Sequence, residues 1–308
     1  MAMDFNFDSE NKEQSFADTT SYVNDSTDTA ASSTQSNKLD EQNAKAYNVV
    51  LTDQNSPMVI LFGPPSCGKT MTLVRLTRYL SSKYTFMPDQ AFKNSSNEEF
   101  GLLCNSFNAA VASDNAAAGT RYIDFMLLRV NDRNSGKTIC QFVESPGELL
   151  FDPKNPLAPF PAYIQQIIAC NNRKIWAIFL EAGMSQQDRI AYVHKVQELR
   201  RIMGPNDKIV FILNKVDLPA TAIHIMGKGK INKDSLFSQI RGLYPNMFET
   251  FVKKGIFWNT PCYDFTAFQT GTYAEGKDAN GKPYKSFQAG DDSYPAILWN
   301  IIYKRIKG

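Results

Sequence analysis

Eight consecutive residues have the composition and spacing of a loop that binds phosphate groups. They follow the pattern Gly-x-x-x-x-Gly-Lys-Ser/Thr and read Gly63-Pro64-Pro65-Ser66-Cys67-Gly68-Lys69-Thr70. Glycines let backbone N–H groups approach phosphate oxygens closely, and the positive end of a helix dipole adds to the attraction. Lys69 is expected to reach the β- and γ-phosphates of a nucleotide, and the Thr70 hydroxyl is expected to ligate magnesium.

A second candidate segment follows an apolar run that ends at Val143, and it reads Glu144-Ser145-Pro146-Gly147. An acidic residue at the end of a strand can hold Mg²⁺ through its water shell, and the Gly147 N–H can meet a γ-phosphate. Many strands end in an acid and a turn, so this segment gains meaning only beside the loop upstream.

A third segment has residues that could distinguish guanine from adenine. It follows the apolar run 209–213 and reads Asn214-Lys215-Val216-Asp217. The Asp217 carboxylate can accept two hydrogen bonds from the N1 and N2 edge of guanine, which adenine does not offer. Asn214 and the stem of Lys215 would complete a slot of the size of a base.

These segments lie within an alternation of apolar runs and amphipathic stretches that is typical of βα units. Ser96 and Glu99 have the spacing of a capping box and predict the start of a helix. The predicted strands cover 59–62, 121–130, 138–143, 175–180, 209–213 and a stretch from Gly255 onward, and the predicted helices cover 69–82, 96–111, 185–203 and 293–306. We therefore predict a three-layer α/β domain with a mostly parallel sheet, one antiparallel edge strand and helices on both faces.

The three segments together resemble the motifs of P-loop GTPases, specifically the divergent G domains of the Ras/Arf-like (TRAFAC) class. Residues 63–70 resemble the first motif of that class, 144–147 the Asp-x-x-Gly motif, and 214–217 the Asn-Lys-x-Asp motif that reads guanine. The resemblance covers about residues 57–268 and the last helix. It implies a P-loop NTPase G domain that binds GTP or GDP with Mg²⁺ and hydrolyses GTP slowly. It also implies a protein effector or activating protein that distinguishes the two nucleotide states.

The same resemblance assigns roles to further residues. It implies that Thr120 is the switch I threonine and a third magnesium ligand beside Thr70 and Glu144. It implies that Thr266 and Ala267, expected after the last strand, contact the guanine O6 through backbone N–H groups. Glu148 occupies the place of the glutamine that positions the attacking water.

Two departures from the motifs leave alternatives open. Glu144 is one methylene longer than the aspartate of the family, and the Glu148 carboxylate would be repelled by a γ-phosphate. The chain could therefore hold guanine nucleotide without turnover. An ATP-dependent kinase or ATPase is the other alternative, because the loop 63–70 also suits those enzymes, although Asn214 and Asp217 argue against it.

Composition divides the chain into two parts. Residues 1–48 carry nine acidic against three basic side chains and few aliphatic ones, which predicts a disordered acidic tail. We expect residues 49–308 to form the G domain, with a helical insertion in switch I near 97–112. A hairpin appendage is expected near 269–290, where Asn280-Gly281 is a typical turn.

Overall composition excludes several classes of function. Lys and Arg number 33 and Asp and Glu 31, so the formal net charge of +2 does not point to nucleic acid or an anionic membrane. No apolar run reaches the roughly 18 residues of a spanning helix. The five cysteines are scattered and include no Cys-x-x-Cys pair, which argues against a disulfide framework or zinc. We expect a cytoplasmic protein without a nucleic-acid partner or an integral membrane segment.

Overall fold

The computed structural model describes residues 48–93, 96–112, 126–216, 233–253, 255, 260–277 and 283–308. Contacts divide the chain into Met1–Gln42 and Asn43–Gly308, and all described residues belong to the second unit. The acidic tail predicted for residues 1–48 lies outside the described residues except for Asn48.

Helices and strands alternate over much of the described chain, although some strands are consecutive. The strands are Met58–Phe62 (β1), Tyr84–Pro88 (β2), Met126–Asp132 (β3), Thr138–Glu144 (β4), Lys174–Leu180 (β5), Lys208–Leu213 (β6), Val252–Lys253 (β7), Thr260–Pro261 (β8), Tyr263–Ala267 (β9), Gly271–Lys277 (β10) and Pro283–Ala289 (β11). The helices are Lys69–Leu80 (α1), Gln90–Lys93 (α2), Asn97–Ala112 (α3), Gly147–Leu150 (α4), Ala162–Ala169 (α5), Gln186–Ile202 (α6), Lys233–Leu243 (α7) and Ser293–Lys307 (α8). The strands β3 and β4 are consecutive, as are the strands from β7 to β11.

A seven-stranded sheet in the order β2-β3-β4-β1-β5-β6-β9 is the centre of the fold. The five strands from β4 to β9 run parallel, and β3 runs antiparallel to β4. The predicted mostly parallel sheet with one antiparallel strand is therefore confirmed. β3 is nevertheless not outermost, because β2 pairs antiparallel with its free side and ends the sheet. Two two-stranded sheets, β10 with β11 and β7 with β8, are separate from this sheet.

Both faces of the sheet are buried under helices, which gives the three layers. Alternate residues of each central strand point to opposite faces, so that Ile60 and Trp176 belong to one apolar cluster and Val59 and Ala177 to the other. Helices α5, α6 and α7 contribute to the first cluster, whereas α1, α3 and α8 contribute to the second. Such nearly continuous apolar strands are expected where a parallel sheet is covered on both sides.

Local signals account for several helix starts. Ser96 Oγ accepts the Glu99 N–H at 3.2 Å and the Glu99 carboxylate accepts the Ser96 N–H at 3.1 Å, which is the predicted capping box of α3. Ser185 caps α6 in the same way, because its Oγ accepts the Asp188 N–H at 3.1 Å.

The strand that ends the sheet begins later than predicted. Of the stretch expected from Gly255 onward, residues 256–259 lie outside the described residues, and the strand beside β6 is β9, which begins at Tyr263 and pairs with β6 as far as Leu213 and Ala267. Thr266 and Ala267 therefore lie inside the last strand of the sheet and not after it.

Candidate functional site

The phosphate loop and the two motifs that follow strands meet at one edge of the sheet. The parallel strands β4, β1 and β6 all end there, and the candidate residues are the last residue of β4 or come directly after β1 and β6. This edge, at the carboxyl ends of the strands, is where α/β sheets bind ligands.

The phosphate loop is hydrogen-bonded to Asn214 near its carboxyl end. Gly68 has a φ of 89°, in the left-handed region that favours glycine. A Cβ at this position would lie 2.2 Å from Asn214 Nδ2, so only glycine fits here. The Asn214 side-chain amide donates to the Cys67 carbonyl at 2.8 Å. This contact connects the first motif directly to the third.

Lys69 is buried within the loop that it follows. Its ammonium donates to the carbonyls of Gly63 at 3.2 Å and Pro64 at 3.1 Å. The side chain is 5% exposed. Two backbone carbonyls of the loop therefore hold the Lys69 ammonium in a buried position.

The amino-terminal end of α1 carries no side-chain cap. Gly68 is its N-cap residue and has no side chain to accept a hydrogen bond, and the first turn has no acidic residue. The first N–H groups of a helix lack partners within the helix and attract anions. In this helix those groups lie directly after the loop 63–68.

Thr70 and Glu144 lie close enough to share a cation. The Thr70 hydroxyl donates to Glu144 Oε1 at 2.9 Å, across the gap between α1 and the end of β4. Glu144 is 2% exposed. Oxygen ligands of this kind suit Mg²⁺. No group of three His, Cys, Asp or Glu side chains that could hold a metal occurs among the described residues, so a cation here would need further oxygens from a ligand.

Gly147 packs against the phosphate loop, whereas Glu148 is exposed beside it. A Cβ on Gly147 would lie 2.3 Å from the Pro65 nitrogen and 2.4 Å from the Pro64 carbonyl carbon. Both residues belong to the first turn of the short helix α4. The Glu148 carboxylate therefore faces solvent at the edge where the loop lies.

Cys67 is fully buried, and burial raises the pKa of its thiol to about 11, although the nearby Lys69 lowers it in part. A thiol of this kind is protonated at neutral pH and unreactive. The helix N-terminus beside Cys67 does not make it a sensitive redox site.

The two residues that follow β6, Asn214 and Lys215, differ in burial and in their polar partners. The Asn214 side chain is 1% exposed, and its Oδ1 has no hydrogen-bond partner within the described residues. Lys215 has a φ of 56°, and its ammonium pairs with Glu181 Oε1 at 2.8 Å. Glu181, which directly follows β5, is a member of this edge that sequence reasoning missed, because an acid after an apolar run is common.

The structure does not bring every candidate residue to the site. Thr120 and Asp217 lie outside the described residues. Thr266 is buried, and its hydroxyl donates to the Ala267 carbonyl at 3.1 Å. Thr266 and Ala267 are the last two residues of β9, beside the end of β6. The sequence predicted them in the loop after the last strand.

A comparison of the sequence with known protein families finds no match, and a comparison with curated proteins finds none either. Among solved structures, the chain is similar to the GTPase-like domain of Ski7 from S. cerevisiae, bound to GDP and inorganic phosphate. The TM-score is 0.35 and the identity 12%, over 75% of this chain and 45% of that chain. The same domain bound to GTP gives a TM-score of 0.34 at 12% identity, with the same coverage. The chain thus spans less than half of these structures, and such scores are too low to establish a shared fold.

No helix in the described part of the chain combines the length and the apolar character needed to cross a bilayer.

Proposed function

We propose that this chain is a G domain that binds GTP and GDP with Mg²⁺, hydrolyses GTP slowly, and presents the nucleotide state to a protein partner. The observation that carries the proposal is the junction of three motifs at one sheet edge. Asn214 bonds to the phosphate loop at Cys67, and Thr70 at the other end of that loop bonds to Glu144.

The residues present suit a nucleotide phosphate tail. The uncapped N–H groups of α1 and the buried Lys69 ammonium are the positive groups that would attract and orient phosphate oxygens. Thr70 and Glu144 would hold the Mg²⁺, and Thr120 is proposed as its third protein ligand. When bound, the cation would neutralise charge that develops on the phosphates.

The residues after β6 suit a purine. Asn214 Oδ1 is a buried acceptor that has no partner in the described residues, so a ligand donor or an ordered water would satisfy it. Asp217 is proposed to select guanine through its N1 and N2 donors, while the Lys215 stem packs against the base. The backbone after Thr266 and Ala267 is proposed to complete the slot from the β9 side.

Binding is tested by competition of GDP, GTP, ADP and ATP against a fluorescent GDP analogue in the presence of Mg²⁺. We expect guanine nucleotides alone to compete, Lys69→Ala to abolish binding, and Asp217→Asn to shift preference toward xanthine nucleotides. Lys83→Ala is the matched control, because that lysine is exposed beyond the other end of α1. Equal competition by ATP would favour an ATP-dependent kinase or ATPase, and unchanged GTP affinity in both site variants would refute the assignment.

Turnover is a separate question, because the exposed Glu148 carboxylate would repel a γ-phosphate. Phosphate release under multiple-turnover conditions, alone and with cell extract, distinguishes a slow GTPase from a G domain that only binds nucleotide. We expect slow release that Glu148→Gln accelerates. Absence of release from both proteins, with GTP bound, would leave binding as the function.

A further inference from the structure

The side chain of Lys215, after β6, is held by a series of contacts that begins at Tyr244, directly after α7. Its ammonium pairs with Glu181 Oε1 at 2.8 Å, and both side chains are mostly buried. Glu181 follows β5, so it lies between the phosphate loop after β1 and Asn214 after β6 in the order of the sheet. The ion pair therefore links the residues after β5 to the residues after β6.

Glu181 is in turn fixed through its backbone by Tyr244, the residue after α7. The Tyr244 hydroxyl donates to the Glu181 carbonyl at 2.6 Å and accepts the Glu181 N–H at 3.1 Å. The ring is fully buried in the apolar cluster, so the hydroxyl has little freedom to move. Burial also raises the pKa of this hydroxyl above the usual tyrosine value, so it remains a donor at every physiological pH.

The loop after Glu181 is restrained from the other side as well. The Arg189 guanidinium donates to the carbonyls of Ala182 at 3.3 Å and Met184 at 2.5 Å. Lys215 itself has a left-handed backbone conformation, which a residue with a side chain adopts only at a cost of about 1 kcal/mol. A strained backbone that carries a pinned side chain indicates that the position of Lys215 matters.

We propose that Tyr244 and Glu181 form a relay that fixes the Lys215 side chain as one wall of the purine slot. Both are positioning residues, since neither is assigned contact with the nucleotide. This inference rests on the proposed function, because it assigns the wall to a guanine-nucleotide site. The relay acts on the base and not on the phosphates, which Lys69 and α1 hold.

The test compares two ligands with and without a base, namely GDP and inorganic pyrophosphate, each with Mg²⁺, by isothermal titration. We expect Glu181→Ala to lower the affinity for GDP about fivefold, as for loss of a partly buried ion pair, and to leave pyrophosphate affinity unchanged. Tyr244→Phe should lower GDP affinity by a smaller factor. In the Glu181→Ala background Tyr244→Phe should cause no further loss, because the relay is already broken.

Tyr192→Phe is the matched control. Tyr192 is equally buried, and its hydroxyl donates to the Phe179 carbonyl at 3.0 Å, so the variant also loses a buried hydrogen bond. It should lower the stability to urea as Tyr244→Phe does, but preserve the ratio of GDP to pyrophosphate affinity. If that ratio is unchanged in Glu181→Ala and Tyr244→Phe while wild type binds GDP, the relay is refuted and the proposed function stands. If wild type does not bind GDP, both fail.

Discussion

Single side chains at this sheet edge have environments that their residue types do not reveal. Cys67 follows two prolines and a serine in a loop that the sequence pattern places at the surface of a ligand site. The structure buries it completely, and its Sγ lies close to Gly63, because a Cβ added to Gly63 would lie 2.6 Å from Cys67 Sγ. The phosphate loop is thus packed against the core at Cys67, whereas Ser66 beside it is exposed.

The burial of Cys67 predicts selective alkylation of the folded protein. With a pKa of about 11, only about 0.1% of this thiol is ionised at pH 8, and the reagent must also reach it. Iodoacetamide at pH 8 should therefore label the exposed Cys262 and leave Cys67 unlabelled until the protein is unfolded in urea. Peptide mapping by mass spectrometry measures this. Equal labelling rates for the two cysteines in the folded protein would show that Cys67 is accessible.

Gly147 predicts a loss of stability on a minimal substitution. A methyl group at this position would overlap the backbone of Pro64 and Pro65, so Gly147→Ala should cost about 1–3 kcal/mol of unfolding free energy. Gly101→Ala is the control, because Gly101 lies inside α3 with nothing within 4 Å of an added Cβ. That variant should gain about 0.5–1 kcal/mol. Urea unfolding of both proteins gives the two values, and equal effects would contradict the close packing of Gly147.

Elements that carry a strong local signal could be predicted from the sequence, and those defined by their neighbours could not. The capping box at Ser96 and Glu99 predicted the start of α3 within a residue, and the predicted helices 69–82 and 185–203 match α1 and α6 within a few residues. Strand β2 was missed because Tyr84–Pro88 ends in proline and shows no clear alternation, and it exists through pairing with β3. The end of β9 was missed because its length is set by its register with β6, which leaves no mark in the residues themselves.

The segment between α4 and α5 shows how one side chain can order an irregular stretch. Lys195 on α6 is 3% exposed, and its ammonium donates to the Ala158 carbonyl at 2.5 Å and to Glu198 at 2.9 Å. It also lies 3.9 Å from the centroid of the Phe160 ring, a cation–π contact. Leu157, next in the chain to Ala158, is 85% exposed. The contacts of Lys195 therefore fix the backbone at Ala158, directly after the exposed Leu157.

Loss of the Lys195 ammonium should loosen this segment without unfolding the domain. Lys195→Met keeps the aliphatic stem but removes the donor to Ala158, and we expect amide exchange of residues 152–160 to accelerate about tenfold, as for loss of about 1.4 kcal/mol. Hydrogen–deuterium exchange with mass spectrometry measures it. Arg201→Met, at an exposed position of the same helix, is the control and should change nothing there. Unchanged exchange in Lys195→Met would mean that proline and apolar burial alone order the segment.

At the scale of the whole molecule, residues 49–57, before β1, pack at the end of the sheet where β1 begins, opposite the proposed site. The side-chain amide of Asn172 donates to the carbonyls of Asp53 at 2.9 Å and Ser56 at 2.8 Å, and that of Gln141 donates to the same two carbonyls. Asn172 and Gln141 are almost fully buried. The Val49 N–H donates to Gln166 Oε1 at 2.7 Å. The folded domain therefore includes the chain from about residue 48 onward, although no sequence motif lies in the stretch before β1.

Two deletions test whether residues 48–56 stabilise the domain and residues 1–47 do not. Removal of residues 1–47 keeps both acceptors, so the midpoint of thermal unfolding should stay within about 2 °C of the full chain. Removal of residues 1–56 leaves the buried amides of Asn172 and Gln141 without protein acceptors, at about 1–3 kcal/mol for each. That second protein should unfold at a midpoint lower by several degrees, or fail to fold, whereas Asn172→Ala in the full chain should reproduce part of the loss. Calorimetry on the three proteins gives the comparison, and equal midpoints for the two deletions would show that Asp53 and Ser56 do not stabilise the sheet.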